Sequence, residues 1–581
     1  MNARPFRLEP QRPRRAGNNL CLDHLRVQLL LVLLTTLPWS ALAEPATMFP
    51  RLLSEIASER EAALIDLART GDERLDPFFE AYRVGSVAGW NGQLVVTEAR
   101  TGQRLAVLDP LTAVPLRDAN GNPVEVAKPD LAPIKISRNE RKTVANARSL
   151  LRLFSPRAES RIAGAKKCGD PPVLPDAMEK LEDLAANDPD RRVRRTARES
   201  MALIQLDQSP PGTHLQVEAM LALAELRCQR AVPRLRELLA VEIADPEARD
   251  VTRAVATDAI RTIERRLFLL DRISSLFQGV SLGSVLILMA MGLAITFGLM
   301  GVINMAHGEM MMIGAYTTYE VQRLFAALAT SGVISATHQD VYYWAALPAA
   351  FLTAALVGFL IEWLVVRHLY KRPLESLLAT WGLGLILIQA VRLRYGDNIG
   401  VNAPAWARGG IEILPDLTLP YGRLFIMGLC VVALLAVHQL IQRSRLGLNM
   451  RATMQNRDMA ASMGVNTGLV DRLTFALGSG LAGIAGYAWT LIGGVTPDMG
   501  QKNFIIDSFL VVVTGGVGEM IGVICAGLGI GVLTKLIEPL EIGGFTFGAI
   551  WAKVVLLIII VTFIQFKPAG LFAPKGRAAD A

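Results

Sequence analysis

The stretch at residues 292–316, GLAITFGLMGVINMAHGEMMMIGAY, decides the fold. It places a polar insert at 304–309 between two apolar runs of membrane-spanning character. Polar and charged groups in such surroundings are costly in lipid, so they persist where they face protein, water or a solute. Gly298, Gly301 and Gly308 allow the helix to break at this point. We therefore predict a broken membrane helix with a functional site at the break; the alternative is a loop at the membrane surface.

Apolar residues are concentrated in the second half of the 581-residue chain, which is 51% hydrophobic overall. From about Ile273 onward the apolar runs approach the ~20 residues that a bilayer demands. They lie at about 273–299, 302–328, 344–366, 374–395, 422–442, 469–492, 504–516, 517–537 and 549–566. These runs predict an all-α polytopic membrane domain at 269–575, followed by a cytoplasmic tail at 576–581.

The run at 504–516 is too short to cross a bilayer alone. It contains an acid, Asp507, and ends in Gly515-Gly516. A short helix that contains an acid and ends at two glycines predicts a broken or re-entrant element that faces a cavity. The alternative is one long kinked helix through the two glycines. The number of crossings is therefore seven or nine.

The N-terminus has the layout of a secretory signal peptide. Arginines between Arg4 and Arg15 precede an apolar run at 27–37, and Ala41-Leu42-Ala43 forms an A-x-A type cleavage site. We predict that residues 1–43 are a signal peptide cleaved after Ala43, the alternative being an uncleaved signal anchor. Residues 44–268 then form a domain outside the cytoplasm.

This exported segment is predicted to be mostly α with a small β element. Short strands are expected at 94–97 and 105–108, with turns at 101–102 and 120–121. Helical patterns resume from Pro175, and Asp-Pro pairs at 188–189 and 245–246 suit helix N-caps. The two similar stretches suggest stacked helical hairpins of the HEAT type, or else unrelated helices with similar caps.

The cysteines are predicted to have structural roles and not catalytic or metal-binding ones. Cys168 and Cys228 both fall in the exported segment, where oxidising conditions permit a disulfide, and we predict that they pair. Cys430 and Cys525 sit in apolar runs and are expected to be packing residues. No Cys/His cluster has metal-ligand spacing and no nucleophile motif occurs in the sequence, so neither a metal site nor an enzyme is predicted.

Basic residues fix the orientation of the membrane domain by the positive-inside rule. The connections at 367–372 and 443–457 are basic, whereas the connection at 329–343 has no Lys or Arg. With residues 44–268 outside, alternation places both basic connections and the C-terminus in the cytoplasm. The formal charge of +7 is modest and basic and aromatic residues do not interleave, so no nucleic-acid partner is predicted.

The polar groups within the apolar runs are mostly neutral or scattered. Such groups suit a path for a small, polar, uncharged solute, which needs paired hydrogen-bond donors and acceptors more than a counter-ion. The alternative for each group is a hydrogen bond between helices. The candidates for the path are Asn304, His307, Glu309, Thr380, Trp381, Gln389 and Asp507.

The basic connection at 449–468 is polar and predicts a short cytoplasmic helix that docks a partner, or else a plain connecting helix. The chain has no G-x-x-x-x-G-K-[ST] phosphate loop. If transport is driven by ATP, the ATPase must therefore be another chain, and this chain binds no cofactor itself.

Three ordered blocks resemble the branched-chain amino acid class of ABC transporter permeases, the LivH-like family. They are residues 292–316, VVVTGGVGEMIGVICAGLGIGV at 511–532 and FIQFKPAGLF at 563–572. Residues 378–398 and 496–509, together with the long exported domain, resemble the urea-transporting branch. The resemblance implies an inner-membrane permease that works with a second permease, cytoplasmic ATP-binding subunits and a periplasmic urea-binding protein.

The resemblance also implies an ATPase-coupling segment. Ala460-Ala461-x-x-Gly464, with Arg451 and Arg457 nearby, occupies the corresponding place, although no Glu precedes Ala460 as in the fuller motif of other importers. The sequence thus predicts the permease subunit of an ATP-driven urea importer. Alternatives are an importer of short amides or branched-chain amino acids, and a passive urea channel whose outer domain docks a partner.

Overall fold

The computed structural model describes residues 45–97, 104–117, 122–243, 245–333, 335, 340–370, 372–414, 416–542, 545–546 and 548–572. The predicted signal peptide and the predicted turns at 101–102 and 120–121 lie outside these residues. The chain divides into two compact units, Met1–Arg266 and Leu267–Ala581.

The first unit is mostly helical. Its helices are α1 (Pro45–Met48), α2 (Ala57–Arg69), α3 (Asp76–Val84), α4 (Arg138–Leu151), α5 (Ala158–Gly169), α6 (Met178–Asn187), α7 (Arg191–Gln208), α8 (His214–Leu226), α9 (Ala231–Ala240) and the start of α10 (Pro246–Met300). The predicted helical pattern after Pro175 is confirmed.

A five-stranded antiparallel sheet completes the first unit. Its strands are β1 (Val87–Trp90), β2 (Gln93–Thr97), β3 (Arg104–Leu108), β4 (Glu125–Ala127) and β5 (Ala132–Pro133), in the order β4-β3-β2-β1-β5. The register pairs Val87 with Val96 and Ala88 with Pro133. The two predicted strands are thus confirmed as β2 and β3.

Buried ion pairs hold the helices of the first unit together. Glu140 closes a capping box with Ser137 at the start of α4 and also accepts a 2.6 Å hydrogen bond from Arg60 Nε of α2. Asp188 was expected to cap α7, but Asp190 is the cap and accepts from Arg192 N. Asp188 is instead buried, because Arg161 of α5 donates to both of its carboxylate oxygens in a bidentate pair.

The second unit contains the membrane helices. They are the rest of α10, α11 (His307–Thr330), α12 (Tyr342–Leu364), α13 (Pro373–Tyr395), α14 (Tyr421–Arg443), α15 (Arg445–Gln455), α16 (Arg457–Ser462), α17 (Thr467–Trp489), α18 (Ile505–Gly515), α19 (Met520–Ile537) and α20 (Gly548–Phe566). Two hairpins, β6 (Gly410–Leu414) with β7 (Leu417–Pro420) and β8 (Glu541–Ile542) with β9 (Phe545–Thr546), join helices.

Each of the nine apolar runs corresponds to a helix. Among the described residues, six helices are long and apolar enough to cross a membrane, and they lie in α10, α12, α13, α14, α19 and α20. The helices α11 and α17 are also long, at 24 and 23 residues, and pack against α12 and against each other. The fold is therefore a helical membrane permease domain preceded by a mostly helical unit with a small sheet.

Glycines bring the membrane helices into backbone contact. A Cβ atom added to Gly486 of α17 would lie 1.9 Å from the carbonyl oxygen of Met311 on α11, and one on Gly314 would lie 2.1 Å from that of Gly483. Gly283 of α10 meets Gly527 of α19 in the same way, at 2.8 Å. Small residues at helix crossings permit this close approach, which is typical of membrane helices.

The run at 504–516 forms the predicted broken element. The short helix α18 ends at Gly515, Gly516 adopts a positive φ of 101°, and α19 turns back to pack against α18. Gly515 and Gly522 touch at the turn. The amides of Leu571 and Phe572 donate to the carbonyls of Thr514 and Gly515, so the C-terminal block caps the end of α18. A single long kinked helix is not formed.

Candidate translocation and coupling sites

The polar insert forms a buried cluster where α10 gives way to α11. The helix α10 ends at Met300, Gly301 adopts a φ of 62°, and α11 restarts at His307. Asn304, His307 and Glu309 are each at most 1% exposed. The predicted helix break is confirmed, and the burial of these side chains does not fit a loop at the membrane surface.

The turn is held by hydrogen bonds to its neighbours. Asn304 Oδ1 accepts from the amide of Ala306 at 3.0 Å, and His307 Nε2 contacts the carbonyl oxygen of Met289 at 3.0 Å. Thr380 of α13 accepts from the amide of Met305 at 3.1 Å. The cluster is therefore built from α10, the connecting turn, α11 and α13.

Several polar atoms of the cluster have no hydrogen-bond partner among the described residues. They are Asn304 Nδ2, His307 Nδ1 and both carboxylate oxygens of Glu309. Ser376 Oγ of α13, one turn before Thr380, is a further such atom. A buried polar atom without a partner is costly, and where several converge they indicate a place for a polar ligand or water.

Glycines let the acid approach the neighbouring helix. A Cβ atom added to Gly384 of α13 would lie 3.0 Å from the carboxylate carbon of Glu309. One added to Gly308 would lie 2.8 Å from the carbonyl carbon of Gly500. Glu309 also lies in the first turn of α11, where the helix dipole favours a negative charge.

The remaining candidates for the path lie elsewhere. Trp381 and Gln389 are on the exposed side of α13, whereas Thr380 faces the cluster. Asp507 of α18 pairs with Lys553 of α20, whose ammonium lies 3.4 Å away. The structure thus places Thr380 against the turn that carries Asn304 and Glu309 against Gly384 of the same helix, whereas His307 contacts α10. Trp381, Gln389 and Asp507 are not brought together with them.

Sequence reasoning missed a second polar network near the coupling segment. Tyr370 donates to Glu362 of α12, and Arg457 of α16 pairs with Asp471 of α17. The Arg457 guanidinium lies 5.1 Å from the centre of the Tyr370 ring. Glu362 and Asp471 were detectable as acids within or beside apolar runs, which is the same signal that marked Glu309.

The motif Ala460-Ala461-x-x-Gly464 ends the helix α16. The amide of Gly464 bonds to the carbonyl of Ala461, and that of Val465 bonds to Ala460, which is the Schellman arrangement. Gly464 has a φ of 88°, which other residues adopt at a cost, and an added Cβ atom would meet nothing within 4 Å. Ala460 is buried and Ala461 is exposed.

Arg451 of α15 donates to the carbonyl of Ile441 near the end of α14 and borders a cavity of about 380 Å³. The cavity lies among α10, α14, α15 and the turn before α19. Met454 of α15 lines it, and a Cβ atom added to Gly518 would lie 3.4 Å from the Met454 methyl carbon. The predicted coupling segment and the turn between α18 and α19 therefore border the same cavity.

The predicted disulfide is wrong, because Cys168 and Cys228 are both free and buried. Cys168 ends α5 and Cys228 follows α8, and α7 packs against both of these helices. Burial raises the pKa of the Cys168 thiol to about 12 and that of the Cys228 thiol to about 11. Both behave as packing residues. Among the described residues, no group of three or more His, Cys, Asp or Glu could hold a metal ion.

The family described as the permease component of branched-chain amino acid transport systems matches residues 275–564. The branched-chain amino acid transport system permease protein LivH of Salmonella typhimurium is 30% identical over 276 residues, which cover 45% of this chain and 85% of that protein. The chain belongs to this permease family. Its family places it among multi-pass membrane permeases of ABC transporters, which are transport components and not enzymes.

Further relatives support the same assignment to the permease family. BraD of Pseudomonas aeruginosa is 27% identical over 305 residues, covering 52% of this chain and 95% of that protein. LivM of Escherichia coli is 25% identical over 275 residues, covering 43% and 60%. A PBS lyase HEAT-like repeat matches residues 215–240, which comprise α8 and α9. No solved structure matches the chain.

Proposed function

We propose that this chain is the permease subunit of an ATP-driven urea importer. It forms half of the translocation path with a second permease, receives urea from a periplasmic urea-binding protein and is driven by cytoplasmic ATP-binding subunits. Membership of the permease family supports the transport role. The likeness of residues 378–398 and 496–509 to the urea-transporting branch supports the choice of solute.

The observation that carries this proposal is the buried cluster at the start of α11. Asn304 Nδ2 can donate, the carboxylate of Glu309 can accept, and neither is satisfied by the described residues. Urea presents amide donors and a carbonyl acceptor, so it offers a partner to each kind of group. Hydrogen-bonding sites select polar solutes strongly because an analogue that lacks the group leaves buried atoms unpaired.

ATP must be split by another chain, since the sequence contains no phosphate loop. The segment α15–α16 would dock that ATPase from the cytoplasm, in keeping with the basic residues around it. The pair of Arg457 with Asp471 of α17, and the cavity that Met454 shares with the turn at Gly518, would carry its movement into the permease. In this orientation residues 44–268 lie in the periplasm of a bacterial inner membrane and the C-terminus lies in the cytoplasm.

Uptake of labelled urea and labelled leucine in cells that express the complete transporter tests the proposal. We expect urea uptake that Glu309→Gln reduces at least tenfold, because an amide cannot replace both acceptor oxygens. Glu320→Gln, on the exposed outer part of α11, is the matched control and should transport normally. Normal uptake by the Glu309 variant at equal expression would contradict the role of the cluster.

Deleting the ATPase partner separates an importer from a passive channel. Uptake by the importer should fall to background, whereas a channel would pass urea undiminished. The second candidate, an importer of branched-chain amino acids, is favoured by the relatives LivH, LivM and BraD, which are permeases of branched-chain amino acid transport systems. Uptake of leucine and not of urea would establish it.

A further inference from the structure

A further group of polar side chains lies beyond the helix break, between α11 and α13. Tyr316 of α11 is 4% exposed, and its hydroxyl has no hydrogen-bond partner among the described residues. Its ring contacts that of Tyr395 at the end of α13, with 5.1 Å between the ring centres. A buried hydroxyl without a partner is costly, and within a membrane domain such a group marks a place where a polar molecule can bind.

Charged groups from α13 and from the connection after α17 lie near this hydroxyl. Arg392 of α13 and Asp498 of the connection are 3.9 Å apart, and the charges of both act on the Tyr316 hydroxyl. Arg392 Nε is buried and lies 2.8 Å from the carboxylate of Asp397, but without the alignment of a hydrogen bond. A guanidinium donor and a phenol hydroxyl are therefore both available to a bound molecule.

The charges at this place compensate one another. Asp397 pairs with Arg392, and Lys502 pairs with Asp498, so two cations face two carboxylates. The carboxylate and the amino group of a free amino acid would each have to displace one of these partners. A neutral molecule with amide donors and a carbonyl acceptor needs no counter-ion and can bond to the groups that have no partner. The arrangement therefore favours a small neutral amide over a zwitterion.

This group lies between the same two helices as the carboxylate of Glu309. Tyr316 follows Glu309 by seven positions, which places it on the same face of α11, about 10.5 Å further along the helix. On α13, Gly384 borders Glu309, and Arg392 follows Gly384 by two steps of four residues, the spacing of one ridge along a helix. In the proposed orientation α11 runs outward from the helix break. A solute that leaves Tyr316 inward would therefore meet Glu309 after two helical turns.

We propose that Tyr316, Arg392 and Asp498 form an outer binding site, at which the permease holds a small neutral amide before it passes to the helix break. The inference rests on the proposed function and adds a second site to the translocation path. The two segments that resemble the urea-transporting branch, 378–398 and 496–509, meet here, because Arg392 belongs to the first and Asp498 to the second. Selection of the solute at this site would give that resemblance a structural cause.

Transport by the complete complex in proteoliposomes, supplied with the urea-loaded binding protein, tests the outer site. Tyr316→Phe keeps the ring but removes the hydroxyl, so urea uptake should fall about tenfold, as expected for the loss of one hydrogen bond. ATP hydrolysis stimulated by the binding protein should persist, so the ATP split per urea should rise about tenfold. A purely structural defect would lower uptake and hydrolysis together and would overturn the site. Tyr319→Phe is the matched control and should transport normally, since Tyr319 is partly exposed and its ring contacts the same Tyr395 ring.

Two substitutions of the acid separate hydrogen bonding from charge pairing. Asp498→Asn keeps an acceptor for an amide, whereas Asp498→Leu does not. We expect the Asn variant to retain at least about threefold more urea uptake than the Leu variant, at equal expression. Equal losses in the two variants, which a role in charge pairing alone would give, would overturn the site.

The outcomes also separate the outer site from the proposed importer. If the wild-type complex takes up urea and Glu309→Gln reduces that uptake, but Tyr316→Phe transports normally, only the outer site is wrong. If the wild-type complex takes up leucine and not urea, the proposed function fails, and the preference of the outer site for a neutral amide fails with it.

Discussion

Different kinds of interaction stabilise the interior of each of the two units. In the first unit, charged side chains are buried in pairs, such as Arg161 with Asp188 and Arg60 with Glu140. In the second unit, the close contacts are between glycines and backbone atoms, as at Gly486 of α17 against Met311 of α11.

The difference follows from the solvent of each unit. In water, apolar burial drives helices together, and a few buried ion pairs can be tolerated when every donor has a partner. In lipid, apolar side chains gain nothing by leaving the solvent, so helices associate through close packing of small residues. A polar group without a partner then marks a functional surface more clearly in the second unit than in the first.

Filling a glycine contact should have the largest effect. Gly486→Leu would force α17 away from α11, because its Cβ alone would lie 1.9 Å from the Met311 carbonyl oxygen. We expect loss of the folded permease, measured as the absence of a monodisperse peak in size-exclusion chromatography. Gly529→Leu, at an open position, is the control and should elute normally. A normal peak for Gly486→Leu would contradict packing by glycine.

Breaking a buried ion pair should have the next largest effect. Arg161→Ala leaves the carboxylate of Asp188, whose side chain is 2% exposed, without its partner. Removing one member of such a pair costs about 3–5 kcal/mol. Hydrogen exchange of peptides from α5 to α7 should accelerate, while peptides from α17 keep their protection. Arg51→Ala, which breaks an exposed pair with Asp66, should cost at most about 1 kcal/mol.

A smaller effect is expected at the end of α16. Gly464→Ala must adopt a left-handed conformation, with a φ of 88°, at a cost of about 1–2 kcal/mol. We expect transport and its coupling to ATP hydrolysis to fall while the chain remains folded. Gly468→Ala, in the first turn of α17, has no such strain and should behave as wild type. Normal substrate stimulation of the ATPase in the Gly464 variant would argue against the coupling role.

The thiols of the first unit should be free but slow to react. Burial raises the pKa of both Cys168 and Cys228, so little reactive thiolate forms at neutral pH. Maleimide should label neither in the folded protein and both after denaturation without reductant, as identified by mass spectrometry. A peptide pair linked by a disulfide would show that the oxidised form exists.

Lowering the pH should produce the smallest of these changes in stability. The hydrogen bond from Arg148 lowers the pKa of Asp76 from its ordinary value of 3.8. The stabilisation is therefore present above that value and is lost as the pH falls through the lowered pKa. Both side chains are partly exposed, so Asp76→Asn should cost only a few tenths of a kcal/mol at neutral pH. Hydrogen exchange in α3 and α4 should show a difference that vanishes in acid.

Much of the architecture could be predicted because it depends on local pattern. The sequence alone predicts three of these features: the apolar runs of bilayer length, the glycines at 515–516 that end a short helix, and the helix break before His307. The cap of α7 was misplaced, because Asp188 and Asp190 are equally good caps in sequence and only the position of Arg161 selects between them. The disulfide failed for a similar reason, since spacing along the chain does not give the distance between two thiols.

The candidate site was predicted in part. Asn304, His307 and Glu309 stood out as polar residues within an apolar context, and all three are buried at the helix break, with His307 against α10 and Glu309 against α13. Thr380 joins them, whereas Trp381, its neighbour in sequence, points the other way, because successive helix positions are rotated by about 100°. The pairing of Asp507 with Lys553 could not be anticipated, since the two residues lie on different helices.

The sequence by itself determined the class of this protein, because membrane helices, their breaks and their topology signals are encoded in local composition. Only the tertiary structure decided which polar side chains meet, which remain without partners and which face outward. These outcomes depend on how glycines let particular helices approach, and that geometry arises from contacts between residues far apart in the chain.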